Sequence, residues 1–169
     1  MRAGIPTVTV LGVPLAVLHA DAAVAQARAL LRNREPALVA FVDARTLNIA
    51  GHDEEYRRIL RDADLVLGDG LGPAIAARLG GGRLPASFDG TTFTPRLLAA
   101  VGPDVPVFLL GGRPGVADRA ADTLAGRIPG LSIAGTAPHP GSTDAADPVA
   151  AIRRSGARIL VLGMESPCQ

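Results

Sequence analysis

Asp64-Leu65-Val66-Leu67-Gly68-Asp69-Gly70-Leu71-Gly72 decides how the rest of the chain is read. Leu65 to Leu67 have the length and composition of a short buried strand. The strand runs into a carboxylate with glycine on either side, and a helix is expected just beyond it. Gly68 and Gly70 free the backbone around Asp69 to turn tightly or to take a positive φ. In an open α/β sheet such a turn lies outside the carboxyl end of a strand, where ligands bind. Two readings of Asp69 stand at this point. It caps the helix that begins near Leu71, or it is placed to act on a ligand.

Upstream, Thr7 to Leu11 and Pro14 to Val17 read as two short strands joined at Gly12, a hairpin. Asp21 is the expected cap of a helix over Ala22 to Arg32, where Val24, Ala27, Leu30 and Leu31 recur at helical spacing. Ala37 to Val42 is a compact apolar strand, and Arg45 to Ala50 a short helix. Asp53 caps the next helix, Glu54 to Arg61. Downstream of Asp69 a helix is expected over Pro73 to Leu79, ended by Gly80-Gly81-Gly82. The next covers Thr94 to Ala100. Val105 to Leu110 is the clearest buried strand. Gly111-Gly112-Arg113-Pro114-Gly115 follows it, then a helix from Pro114 to Arg127 with Gly130 just past its end. Leu131 to Ala134, Pro148 to Ser155 and Arg158 to Leu162 complete the alternation as strand, helix and strand. Strand alternating with helix predicts an α/β, Rossmann-like fold. It has an N-terminal β-hairpin and a largely parallel sheet with helices on both faces.

The chain has 169 residues, enough for one domain with a substantial core, and a single domain over 1–169 is expected. The net charge is +1, the basic residues are all arginine, and aromatic residues make up only 3%. Neither a basic run nor a stacking aromatic set points to nucleic acid. One cysteine, Cys168, excludes an internal disulfide and fits a reducing compartment. The apolar stretch Val8 to Leu18 is broken by Gly12 and Pro14, too short for a membrane span and without a signal-peptide pattern. A soluble, cytoplasmic protein is expected.

Gly111-Gly112, directly after a strand and before a helix, is a candidate phosphate cradle. Backbone N–H groups and the positive helix end would face the anion, and Arg113 would add a charge-assisted hydrogen bond. A tight strand-to-helix turn explains the same residues equally well. Asp62-Ala63-Asp64 imitates a metal-binding DxD pair, but it lies at the end of the sheet opposite the ligand edge. His19, His52 and His139 lack metal-site spacing. His139, in a polar loop, reads as solvated in preference to a ligand contact. Cys168 has no histidine near it in sequence. Ser87, Ser142 and Ser166 show no nucleophile elbow.

Several segments taken in order resemble the WecG/TagA/CpsF glycosyltransferases. They are Phe41-Val42-Asp43-Ala44-Arg45-Thr46-Leu47-Asn48-Ile49-Ala50, Asp53-Glu54-Glu55-Tyr56-Arg57, Ala63 to Gly70, Asp89-Gly90-Thr91, Val107 to Ala117, and Pro167-Cys168-Gln169. The resemblance implies inverting transfer of an N-acetylmannosamine-type sugar from a UDP donor. The acceptor it implies is a lipid-diphosphate-linked or other sugar, in cell-surface polysaccharide biosynthesis at the inner face of the membrane. It implies Asp69 as catalytic base, with ligand contacts at Asp43, Asn48, Gly70, Gly90, Thr91, Gly111, Gly112, Arg113 and Gln169. No metal and no cofactor beyond the donor substrate are implied, and self-association is common in the family.

The chain departs from the family pattern in places. Phe41-Val42-Asp43 stands in the register of a Thr-x-Asn, and Gly90-Thr91-Thr92 in that of a Gly-Thr-Asp. Ser87 stands where many members carry arginine, and Glu165 where the family has glycine. His139-Pro140-Gly141 takes the place of a His-Gly-Tyr loop. The sequence stops at Gln169, ahead of the acidic residue and the C-terminal appendage that many members use for membrane contact. These departures motivate an alternative, a non-catalytic member that binds a nucleotide sugar or a partner. A dinucleotide-dependent oxidoreductase is disfavoured because there is no GxGxxG.

Overall fold

Two short strands, β1 (Thr7–Val10) and β2 (Val13–Ala16), pair antiparallel at the start of the chain. The structure is a computed structural model and describes residues 4–32, 35–140 and 147–164. The chain folds as two units, Met1–Leu97 and Leu98–Gln169.

In the first unit the hairpin is followed by α1 (Ala20–Leu30), β3 (Val39–Val42), α2 (Ala44–His52), α3 (Glu54–Asp62), β4 (Leu65–Gly68) and α4 (Leu71–Leu79). β3 and β4 pair in parallel, Val39 opposite Leu65 and Val42 opposite Gly68. Every residue of β4 is buried. Its side chains alternate between two cores, as the period of two in a strand requires. Val66 packs with Val10, Val13, Leu15, Leu47, Tyr56 and Leu60. Leu65 and Leu67 pack with Ala23, Ala27, Phe88 and Phe93 on the other side. A strand covered on both faces must be apolar throughout, which is why Leu65-Val66-Leu67 shows no polar alternation.

α5 (Gly90–Val101) begins in the first unit and ends in the second. The second unit continues with β5 (Val107–Gly111), α6 (Val116–Arg127), β6 (Ile133–Ala137), α7 (Pro148–Ser155) and β7 (Ile159–Gly163). β5 is central and pairs in parallel with both β6 and β7. Val107 and Leu109 pack with Leu98, Ala117 and Ala121.

The α/β class, the parallel pairing and the N-terminal hairpin are as the sequence predicts. Helix starts differ in several places: α2 begins at Ala44 rather than Arg45 and α4 at Leu71 rather than Pro73, and three more have a local cause. α1 begins at Ala20 with His19 in the cap position, so Asp21 is not the cap. It lies in the first turn, where a carboxylate meets the positive end of the helix. α5 begins at Gly90 rather than Thr94, because Asp89 satisfies donors of the first turn. α6 begins at Val116, since Gly115 is left-handed with φ 81 and cannot lie inside a helix. Among the described residues no helix is long and apolar enough to cross a membrane.

Candidate functional site

The carboxyl ends of β3 and β4 each hand the chain to an aspartate. After β3, Asp43 turns back as the N-cap of α2, its Oδ1 accepting from the Thr46 N–H at 2.7 Å. After β4, Asp69 donates its own N–H to the Val42 carbonyl at 2.8 Å, which fixes its backbone against the end of β3. A third carboxylate, Asp89, precedes α5. It accepts from the Thr92 N–H at 2.8 Å and from the hydroxyls of Thr91 and Thr92.

These surroundings give the three aspartates different acid–base characters. Hydrogen bonds from the Thr91 and Thr92 hydroxyls and the Thr92 N–H stabilise the ionised form of Asp89 and bring its pKa down to about 2. At Asp43 partial burial pushes upward. The backbone and hydroxyl of Thr46, with the charge of Arg45, outweigh it, and the pKa falls below the ordinary carboxylate range. Asp69 moves the other way. Partial burial raises its pKa, and the negative charges of Asp89 and Asp43 raise it further. The cap reading of Asp69 is excluded. The N-cap of α4 is Gly70, at φ 78, and the Asp69 side chain makes no bond to that helix end. Among the described residues the Asp69 carboxylate accepts no hydrogen bond, so it is the uncommitted member of the three.

The structure thus brings Asp43, Asp69 and Gly70 together with Asp89 at one end of the first unit. Gly70 is required there by its left-handed φ, whereas a Cβ on Gly90 would make only an ordinary 4.0 Å contact with Phe41. Thr91 spends its hydroxyl on Asp89. Asn48 is exposed on the second turn of α2, its carbonyl accepting from the His52 ring at 2.9 Å. Gly72 has a packing reason: a Cβ there would fall 2.6 Å from that of Ala44, so the starts of α2 and α4 abut. Asp64, of the DxD imitation, accepts from the Leu38 N–H at 3.0 Å at the opposite end of β4.

Sequence reasoning did not single out Asp89 or Ser87 as working residues. Asp89 had a readable signal, an acid followed by two threonines ahead of an apolar helical stretch. Ser87 had none, because its bond to Gly70 joins residues 17 apart in sequence.

In the second unit, Gly111 ends β5 at φ 143 and Gly112 follows at φ 70. A Cβ on Gly111 would lie 2.3 Å from the Gly163 carbonyl oxygen, and one on Gly112 2.8 Å from the Val116 Cβ. Close approach of the Gly163 backbone therefore accounts for Gly111, and the Val116 side chain with the left-handed φ for Gly112. The Gly112 carbonyl accepts from the His139 N–H at 2.9 Å. Arg113 is exposed, and among the described residues it makes no ion pair or side-chain hydrogen bond. α6 starts with no side-chain cap, and its first N–H, that of Val116, is taken by the Arg113 carbonyl at 3.0 Å. Gln169 lies outside the described residues.

The family model for the glycosyl transferase WecG/TagA/CpsF family matches residues 8–169. The chain belongs to that family. A comparison with curated proteins finds no match. As a WecG/TagA/CpsF member the protein is a glycosyltransferase of the kind that builds cell-surface polysaccharide. Among the described residues no group of three or more His, Cys, Asp or Glu side chains is arranged to hold a metal ion.

Proposed function

We propose that this protein transfers an N-acetylmannosamine-type sugar from a UDP donor, with inversion and without an essential metal. The acceptor is a lipid-diphosphate-linked sugar at the cytoplasmic face of the membrane. The observation that carries this reading is the uncommitted, partly buried Asp69 carboxylate beside two carboxylates already held by helix ends. Inversion needs a base within reach of the acceptor hydroxyl, on the face of the sugar opposite the leaving group. Asp69 takes the hydroxyl proton on a carboxylate oxygen. The acceptor oxygen forms its bond to the anomeric carbon as the bond from that carbon to the diphosphate oxygen breaks. UDP leaves with the electron pair. Asp43 and Asp89 do not compete for the proton, because their hydrogen bonds favour the ionised state.

The leaving diphosphate needs donors aimed at its developing charge. The N–H groups of the Gly111-Gly112 turn and the Arg113 guanidinium are the proposed contacts. The Arg113 guanidinium has no other described partner, and the start of α6 has no side-chain cap. The test is incubation with UDP-N-acetylmannosamine and a lipid-diphosphate-linked N-acetylhexosamine, with EDTA or with magnesium. Transfer of equal rate under both conditions, with the anomeric configuration inverted, is expected. Arg113→Ala should weaken UDP binding about tenfold, as loss of a charge-assisted hydrogen bond does. UDP-sugar binding with neither transfer nor hydrolysis would overturn the catalytic reading in favour of a binding module.

A further inference from the structure

The turn that carries Asp69 is loosely held by packing. Gly70 is exposed and left-handed, and no heavy atom lies within 4 Å of where its Cβ would be. Its fixed points are hydrogen bonds. The Asp69 N–H reaches the Val42 carbonyl at 2.8 Å, and the Gly68 carbonyl accepts from the Phe88 N–H at 2.9 Å. Between them, the Gly70 N–H donates to the Ser87 Oγ at 2.7 Å. This is the one described side-chain bond to the turn. Ser87 is itself well anchored, because the next residue, Phe88, is buried against Leu65, Leu67 and Phe93.

We propose that Ser87 is a positioning residue. Its hydroxyl pins the Asp69–Gly70 peptide and so fixes the direction in which the Asp69 carboxylate is presented. The proposal rests on Asp69 being the base. With the bond made, the peptide on the carboxyl side of Asp69 is tied to the 87–88 loop and the peptide on its amino side to β3. The aspartate then keeps only its side-chain torsions. Without the bond, Gly70 can exchange its left-handed φ for the other conformations open to glycine, and the Asp69 backbone swings with it. Small misplacements of a catalytic group lower the rate without changing what binds.

The bond is exposed and the hydrophobic contacts around it are untouched by its loss, so Ser87→Ala should fold as the parent does. The experiment uses the full chain with Ser87→Ala and Ser87→Thr, which keeps an Oγ. Amide hydrogen exchange at Gly70 is expected to quicken about tenfold in Ser87→Ala, while exchange at Asp69 stays as in the parent. In the transfer assay kcat should fall about five- to tenfold with KM unchanged, and Ser87→Thr should restore both readouts. Unchanged exchange at Gly70, or quickened exchange with unchanged kcat, would overturn the positioning role. Failure of the underlying reading looks different. Asp69→Asn would then transfer as well as the parent, while the exchange result would still report whether the bond holds the turn.

Discussion

Replacing Gly111 with alanine puts a Cβ 2.3 Å from the carbonyl oxygen of Gly163 and 2.6 Å from its carbon. The obstacle is backbone, not the end of a flexible side chain, and it belongs to the strand paired with Gly111. Relief therefore requires β5 and β7 to splay at their ends. Forced overpacking of this sort costs about 1–3 kcal/mol. Gly111 also sits at φ 143, which an L side chain rarely adopts. Holding alanine there adds about 1–3 kcal/mol. The total, about 2–6 kcal/mol, is a large share of the stability of an ordinary domain. It corresponds to a fall in Tm of roughly 5–20 °C. Gly126→Ala is the matched control. It lies in α6 at a negative φ with no heavy atom near its Cβ position, and it should stabilise by about 0.5–1 kcal/mol. Urea and thermal unfolding followed by circular dichroism measure both. A Gly111→Ala protein within about 0.5 kcal/mol of the parent would refute the packing argument. The outcome also governs how the donor site is tested. If Gly111 is held by Gly163, loss of UDP binding in its variants reports a damaged strand end. The phosphate-cradle reading then has to be tested at Arg113.

Two further predictions follow from the aspartates. Asp89→Asn keeps a good capping residue on α5 but removes one of the negative charges that raise Asp69. Asp89 is ionised above about pH 2, so its charge acts on Asp69 across the whole range of an assay. The acid limb of the pH profile of kcat/KM should move to lower pH in this variant, and an unmoved limb would contradict the coupling. Asp43→Ala loses the cap of α2 and should destabilise by about 1 kcal/mol at neutral pH. Because the native pKa of Asp43 is lowered, that contribution is present above the unfolded value. It is lost as pH falls through the native one, so the penalty should shrink in acid unfolding curves.

Much of the fold is legible in the sequence because local rules and burial agree. Leu65-Val66-Leu67 is apolar on both faces and proves to be a doubly covered strand. Asp53 sits three residues before Tyr56 and caps it through the Tyr56 N–H at 2.9 Å. The early start of α5 shows where local rules fail. Gly90, Thr91 and Thr92 are weak helix formers, and what makes them helical is Asp89 taking up their donors. The position of Asp69 at a strand end could be read from its glycine neighbours. Its electrostatic setting could not, since Asp43 and Asp89 are brought to it by pairing of β3 with β4 and by the return of the chain through Ser87. The division of the strands between two units is likewise invisible to periodicity, which reports the faces of each strand but not its neighbours.

Asp69→Asn tests the central claim most directly, measured as UDP affinity, transfer rate and Tm on one preparation. The substitution removes the proton acceptor and keeps the shape, so transfer should fall about 10²–10⁴-fold while UDP affinity stays at the parental value. Because burial and two neighbouring charges raise the native pKa of Asp69, its ionised form is a cost to the folded state. That cost is absent below the unfolded pKa and fully present above the native one. The variant should therefore have a higher Tm than the parent at neutral pH and lose that advantage in acid. Parental transfer by Asp69→Asn would contradict the account.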